Sequence, residues 1–334
     1  MSDKIRVLIV DDSSIMREAI RSILNSDPSL EVIGMAQDGR EAVSKTTALK
    51  PDVITMDLNM PKMSGLEAVE KIMDILPTPI IIVSSMDVNV IIKALGVGAM
   101  DFVTVNQDIG QVSADLIRKI KIASRVRAIR RFTPTPPKKL EIKRESGTLT
   151  KIVAIGVSTG GPQALQLLLA GLPKGFPATV VIVQHMTATF IDGLAEWLRV
   201  SSILDVCVAR AGDPLKNSTV YLAPDIYNLK INEACSIVLS ESEVKTPHIP
   251  SIDVMMQSVA QTFGSNAIGV ILTGMGKDGV EGIKAIKEAG GTTIAQDEKS
   301  SVIFGMNKEA ICTGCVDIVL PLDKIAQELI RLVV

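Results

Sequence analysis

Short, mostly apolar runs alternate along this chain with longer segments in which apolar residues recur every three or four positions. The runs at 5–10, 31–36, 53–56, 80–83 and 101–103 have the length and branched-residue content of strands buried on both faces. Between them, 14–25, 39–49, 64–76 and 89–97 carry a helical period; in the first, Ile15, Ala19, Ile20, Ile23 and Leu24 form the apolar face. A helix rich in Arg and Lys over 112–131 closes the series. Such alternation predicts a parallel sheet with helices on both faces.

A second alternation starts at Lys151. Its expected strands are 152–156, 179–184, 219–222, 267–272 and 291–295, and its helices 162–172, 190–199, 252–263, 280–289 and 322–332. It shares no internal motif with the first, so the chain is not a tandem repeat. The segment 132–150 between them holds Pro134, Pro136, Pro137, Lys138, Lys139, Lys143 and Arg144 with no apolar period, the signature of an exposed linker whose charge is a solvated surface. The expected division is therefore 1–131, 132–150 and 151–334, giving two domains of ordinary size.

Composition changes this picture little. Hydrophobic residues make up 47% of the chain but aromatics only 3%, so the cores are aliphatic, with 14 Met as adaptable fillers. A net charge of −2 offers no electrostatic case for nucleic-acid binding. No run reaches the roughly 18 apolar residues of a membrane span; the most apolar stretch, 80–103, is broken by Asp87, Lys93 and Asp101. The N-terminus leads straight into a strand pattern without a signal-peptide profile, so the expected location is cytoplasmic, with reduced cysteines. Cys312 and Cys315 form a lone C-x-x-C, read as small residues near a turn.

Candidate chemistry lies at strand ends. Asp11 and Asp12 follow the first strand and Asp57 the third, which places three carboxylates on one edge of a parallel sheet, where ligands bind. Mutual repulsion calls for a cation there, and an all-oxygen donor set suits Mg²⁺. In the second half, strand 152–156 runs into Ser158-Thr159-Gly160-Gly161-Pro162 and a helix. That turn reads equally as a nucleophile elbow, a phosphate-binding loop or a plain small-residue turn. The chain has only two histidines. His185 follows the next strand, 185 − 158 = 27 residues on, the length of one crossover, so it should share a sheet edge with Ser158. His248, in Thr246-Pro247-His248-Ile249-Pro250, is the rival base, with Asp213 or Asp225 as its acid. Asp278, in the glycine-rich turn Thr273-Gly274-Met275-Gly276-Lys277-Asp278-Gly279, falls on the same edge. It could orient a histidine or simply cap the following helix.

Two resemblances sharpen these readings. Asp11-Asp12, Asp57-Leu58-Asn59-Met60-Pro61, Gly65, Ser84 and Gly98-Ala99-Met100-Asp101-Phe102-Val103 resemble a response-regulator receiver domain over about 1–130. The resemblance implies that Asp57 accepts a phosphoryl group from a histidine kinase. It also implies that Asp12, Asp57 and the Asn59 carbonyl hold Mg²⁺, and that Asp11, Ser84 and Phe102 belong to the acidic pocket and its switch. One departure stands out: Val105 and Asn106 occupy the place of the family's Lys-Pro, removing a cation that pairs with the phosphoryl oxygens.

The second half resembles the CheB family of chemotaxis protein-glutamate methylesterases over about 150–332. The residues that carry this are Ile155-Gly156-Val157-Ser158-Thr159-Gly160-Gly161, Gln184-His185-Met186, Tyr221-Leu222-Ala223-Pro224, Pro250-Ser251-Ile252-Asp253 and the stretch from Gly269 to Gly279. The resemblance implies Ser158 as nucleophile, His185 as base, Asp278 as acid and the Met275 N–H in the oxyanion hole, with no cofactor for ester hydrolysis. Methylated chemoreceptors are the implied substrates, glutamine deamidation a second activity, and the chemotaxis histidine kinase CheA the phosphodonor. Thr187, where relatives often have Pro, and the stretch 225–229 depart from the pattern near the expected cleft. The expected fold class is α/β: two doubly wound domains, a flavodoxin-like receiver and a Rossmann-like parallel-sheet esterase domain. The rival from another class is a response regulator whose second domain only binds a partner or nucleotide; a DNA-binding output is disfavoured by the absence of a short basic helical module.

Overall fold

The computed structural model describes residues 4–85, 88–105, 109–126, 151–186, 189–241 and 248–334, so the expected linker at 132–150 lies outside the described residues. The chain divides into two compact units, Met1–Phe132 and Thr133–Val334.

In the first unit, β1 (Ile5–Val10), β2 (Leu30–Ala36), β3 (Val53–Met56), β4 (Ile80–Ser84) and β5 (Asp101–Thr104) alternate with five helices. These are α1 (Ser14–Asn25), α2 (Gly39–Leu49), α3 (Gly65–Ile75), α4 (Val88–Val97) and α5 (Ile109–Ala123). The sheet is wholly parallel in the order β2-β1-β3-β4-β5, so β1, β3 and β4 are interior and their side chains are almost entirely buried. Polar caps set the helix starts: Ser13 accepts from Met16 N–H, Asp38 from Glu41 N–H, and Ser64 with Glu67 forms a reciprocal capping box. α5 is shorter than the periodicity predicts. It ends at Ala123, where the Ser124 hydroxyl bonds back to the Lys121 carbonyl and the N–H groups of Arg125 and Val126 reach back three residues, tightening the last turn.

The second unit is built on seven parallel strands in the order β14-β13-β12-β6-β7-β9-β8. They are β6 (Ile152–Val157), β7 (Thr179–Gln184), β8 (Asp205–Val208), β9 (Thr219–Leu222), β12 (Ala267–Ile271), β13 (Thr292–Gln296) and β14 (Ile318–Leu320). A separate antiparallel hairpin joins β10 (Asn228–Ile231) to β11 (Ile237–Ser240). The helices are α6 (Gly161–Ala170), α7 (Ile191–Ser201), α8 (Ile252–Phe263), α9 (Val280–Glu288), α10 (Met306–Cys312) and α11 (Leu322–Val333). Strand order reverses at β6, which lies between β7 and β12, and the crevice at such a switch point is where ligands bind in open α/β sheets. Tertiary contact, not periodicity, stabilises β8, β10, β11, β14 and α10, which the patterning had not predicted. All are three to seven residues long, too short to show a period of their own. Cys312 and Cys315 flank the turn that ends α10, and both are free thiols.

Gly65 marks the tightest point of the first unit: a Cβ there would lie 2.0 Å from the Asp57 carbonyl oxygen. Backbone cannot yield as a side chain can, so Gly65→Ala is expected to cost at least about 2 kcal/mol. Urea unfolding of the full chain, followed by its receiver transition, measures this; an unchanged midpoint would refute the close approach.

Candidate active site and acidic pocket

In the first unit the three carboxylates converge. Oxygens of Asp11, Asp12 and Asp57 lie within 4.8 Å of one another at the C-terminal ends of β1 and β3. Burial pushes Asp11 up to about 6 against the Ser13 N–H bond; the charges of Asp57 and Asp12 add to this and Arg17 opposes it. Burial also raises Asp57, although the Ser84 hydroxyl, 2.7 Å from Oδ1, and the N–H groups of Leu58 and Asn59 favour its ionised form. Carboxylates held this close, in an all-oxygen pocket, are the donor set a hard divalent cation relieves, so the residues fit Mg²⁺. Phe102 is buried on β5, with the Lys119 ammonium 5.1 Å from its ring centroid. Lys119 also pairs with Asp101 and Asp115, at 3.1 Å each, so its charge is spent on β5 and α5. Val105 is described, and Asn106 lies outside the described residues. Patterning gave no hint of Arg17, whose guanidinium donates to the Asp11 carbonyl at 2.6 Å.

In the second unit, Ser158 directly follows β6, His185 directly follows β7 and Asp278 lies in the turn after β12, three neighbouring strands of one sheet. The Ser158 N–H donates to the Thr273 carbonyl at 3.0 Å, while Gln184 Nε2 donates to the carbonyls of Ser158 and His185, at 2.9 Å each. The serine turn is thus tied to both flanking loops. Gly160, at φ +78°, turns the chain into α6, where Pro162 takes an early helical position.

His185 Nε2 and Asp278 Oδ2 are 2.8 Å apart, with side chains 12% and 7% exposed. That contact engages Nε2, and among the described residues Ser158 Oγ makes no hydrogen bond to the His185 ring. Asp278 also accepts from Ser251 Oγ (2.9 Å) and from the N–H groups of Ile252 (2.8 Å) and Asp253 (3.0 Å). Burial alone would raise its pKa; these bonds, His185 first, hold it below the usual carboxylate range. The cap reading of Asp278 was half right. It caps a helix, but the start of α8, not of α9, whose N-cap is Gly279.

His248, the rival base, stacks on His185 with ring centroids 4.6 Å apart and an interplanar angle of 24°. Desolvation and the neighbouring His185 ring hold it below the usual imidazole range, against the pull of Asp278. Its expected acids are engaged elsewhere, Asp225 with the Thr189 N–H and Asp213 with the Arg210 N–H. Met275 is half exposed on the turn, and its N–H donates to no protein group among the described residues. Thr187 lies outside the described residues.

An acidic receiver pocket in one unit and a serine, a histidine and a carboxylate on one sheet edge of the other define a response regulator with a hydrolase output. A family model for CheB methylesterase matches residues 153–329, and one for the response regulator receiver domain matches 7–116. The chain is 41% identical over 345 residues to a protein-glutamate methylesterase/protein-glutamine glutaminase 1 of Syntrophus aciditrophicus (strain SB), covering 98% of each. It is 41% identical over 353 residues to the protein-glutamate methylesterase/protein-glutamine glutaminase of Thermotoga maritima, covering 100% of each. The crystal structure of the Thermotoga maritima CheB methylesterase catalytic domain matches with a TM-score of 0.53 at 42% identity, covering 55% of this chain and 100% of that one. This chain belongs to the CheB methylesterase family. No helix among the described residues is long and apolar enough to cross a membrane.

Ser251 both caps α8 and donates to Asp278. Ser251→Ala should therefore cost about 1–2 kcal/mol of stability in the second unit, measured by urea unfolding; a loss below a few tenths would show that neither bond matters.

Proposed function

We propose that this chain hydrolyses glutamate γ-methyl esters on chemoreceptors and deamidates glutamine at such sites, under control of receiver phosphorylation. The observation that supports it most is the 2.8 Å His185–Asp278 contact on strands flanking that of Ser158. Ser158 Oγ attacks the ester carbonyl while His185 takes its proton. The Met275 N–H, which has no protein acceptor among the described residues, stabilises the oxyanion. Collapse of the tetrahedral intermediate expels methanol, protonated by His185, and leaves an acyl-enzyme. Water, activated by the same histidine, then releases the glutamate carboxylate and restores Ser158. For glutamine the leaving group is ammonia. Asp278 stays ionised throughout, fixing the ring tautomer and supporting the imidazolium.

In the receiver, the proposed phosphoryl acceptor is Asp57, with CheA as donor. Asp12, Asp57 and the Asn59 carbonyl would hold Mg²⁺, which when bound offsets charge on the transferred oxygens. Asp11 completes the acidic pocket, and Ser84, already bonded to Asp57, is placed to follow the phosphoryl group, with Phe102 in the switch. Residues 132–150 join the two domains as a linker.

Methyl release from methylated receptor should fall on the order of a thousandfold or more in Ser158→Ala; an unchanged rate would leave a binding module, not an esterase. Acetyl phosphate with Mg²⁺ should raise the activity of the full chain and not that of Asp57→Asn. Val105→Lys should enlarge the rise; if it does not, the missing cation is irrelevant to switching.

A further inference from the structure

Two helices begin at the candidate active site, and each is capped by a carboxylate belonging to the other. Asp278, on the turn before α9, accepts the N–H groups of Ile252 and Asp253 at the start of α8, at 2.8 and 3.0 Å. Asp253, in the first turn of α8, accepts the N–H groups of Gly279 (2.8 Å) and Gly282 (2.7 Å) at the start of α9. Gly279 has no side chain to cap α9 and sits at φ +98°, where a Cβ would also come within 2.5 Å of Ile271 Cδ1. Without Asp253, the turn that carries Asp278 would lose the anchors that set its distance from His185.

The exchange also brings two carboxyl groups together, and both cannot be charged cheaply. Asp278 has four donors, including His185, and keeps its charge. Asp253 is pushed up to about 6, first by burial; the N–H bonds from α9 oppose this, and the nearby Asp278 charge adds to it. Apart from Asp278, the titratable groups at this point are His185, bonded to Asp278, and His248, stacked on His185. Lys277 on the same turn is largely exposed and pairs with Glu309 of α10 at 3.2 Å. β10 packs Leu229 and Ile231 into the core with α8, and Lys230 alternates to the other side. β6 and β12 bring Gly156 and Ile271, neither of them titratable, against Ile252 and Gly279.

We infer that Asp253 is a positioning residue for the triad: its carboxyl group, accepting the N–H groups of Gly279 and Gly282, locks the turn that carries Asp278 at its distance from His185. The inference rests on the reading of His185 and Asp278 as triad partners, but its main test needs no activity. Asp253→Asn keeps an acceptor for Gly279 and Gly282 and removes the charge. In the full chain, backbone amide exchange at Gly279 and Gly282 should be about tenfold faster in Asp253→Ala, which removes the acceptor, than in Asp253→Asn. Equal exchange in the two folded variants overturns the inference. If Asp253→Ala does not fold, the wild-type chain decides: the Gly279 and Gly282 amides must exchange at least about tenfold more slowly than that of Gly276 on the same turn, and equal rates overturn the inference.

Rates supply the second arm. Asp253→Ala should lower kcat about tenfold or more with KM nearly unchanged, and Asp253→Asn should recover most of that loss. Equal losses in both variants would overturn the positioning role. Full activity in Ser158→Ala would instead sink the esterase reading while leaving the Asp253 contacts to be read from amide exchange alone.

Discussion

A charged carboxylate placed out of water has to be surrounded by donors, and Asp278 meets that demand with four. Three of them come from the first residues of α8, a segment that precedes Asp278 by some 25 positions. The requirement therefore dictates architecture. α8 must start beside the end of β12, and α9 must start beside α8, because its own first N–H groups turn to Asp253. Much of the second unit's packing follows: α8 and α9 lie against each other, and α8 also packs on β6, β10 and β12. The fourth donor, His185, is the proposed base, and under that proposal the other three hold the charge it would use.

The sheet supplies the remaining geometry. Parallel strands end on one side, so β12, β6 and β7 deliver the Asp278 turn, Ser158 and His185 to one edge without any long-range design of loops. What the loops add is fine placement. Gln184, the last residue of β7, points its amide across to the Ser158 carbonyl and back to that of His185, locking the two strand ends together. Thr273 does the same from the other side, accepting the Ser158 N–H at its carbonyl and donating its hydroxyl to the Thr159 carbonyl. The serine turn is held from both neighbours, so the nucleophile needs no strain of its own to stay in place.

Those placements separate what patterning could read from what it could not. β1, β3, β4, β6 and β7 were legible because interior strands of parallel sheets are continuous apolar runs, and a run leading into Ser158 or His185 announces a strand end. That Ser158, His185 and Asp278 share an edge followed from topology alone. The direction of Asp278 did not. Asp before a helix reads as that helix's cap, and only three dimensions reveal that it serves α8 while Asp253 returns the favour to α9. His248, the chain's other histidine, is a rival base by sequence alone, but its ring lies face-on to His185, a relation no spacing rule contains. The short edge strands β8 and β14 and the β10–β11 hairpin escaped for a different reason: their stability comes from pairing partners far away in sequence.

The receiver presents the opposite electrostatic problem. Asp278 has an excess of donors, whereas Asp11, Asp12 and Asp57 share a pocket in which Val105 replaces the family's lysine. Lys119 cannot take over, because Asp101, Asp115 and the Phe102 carbonyl hold it at β5 and α5. Arg17 acts on Asp11, but it spends a donor on the Asp11 backbone. Under the proposed function, neutralisation would therefore fall chiefly on Mg²⁺. Switching through Ser84 would start from a contact already made, since that hydroxyl bonds to Asp57. A contribution from lysine would have no equivalent at Val105. The proposed response to phosphorylation would then depend on the metal and on a single hydroxyl more than the family pattern suggests.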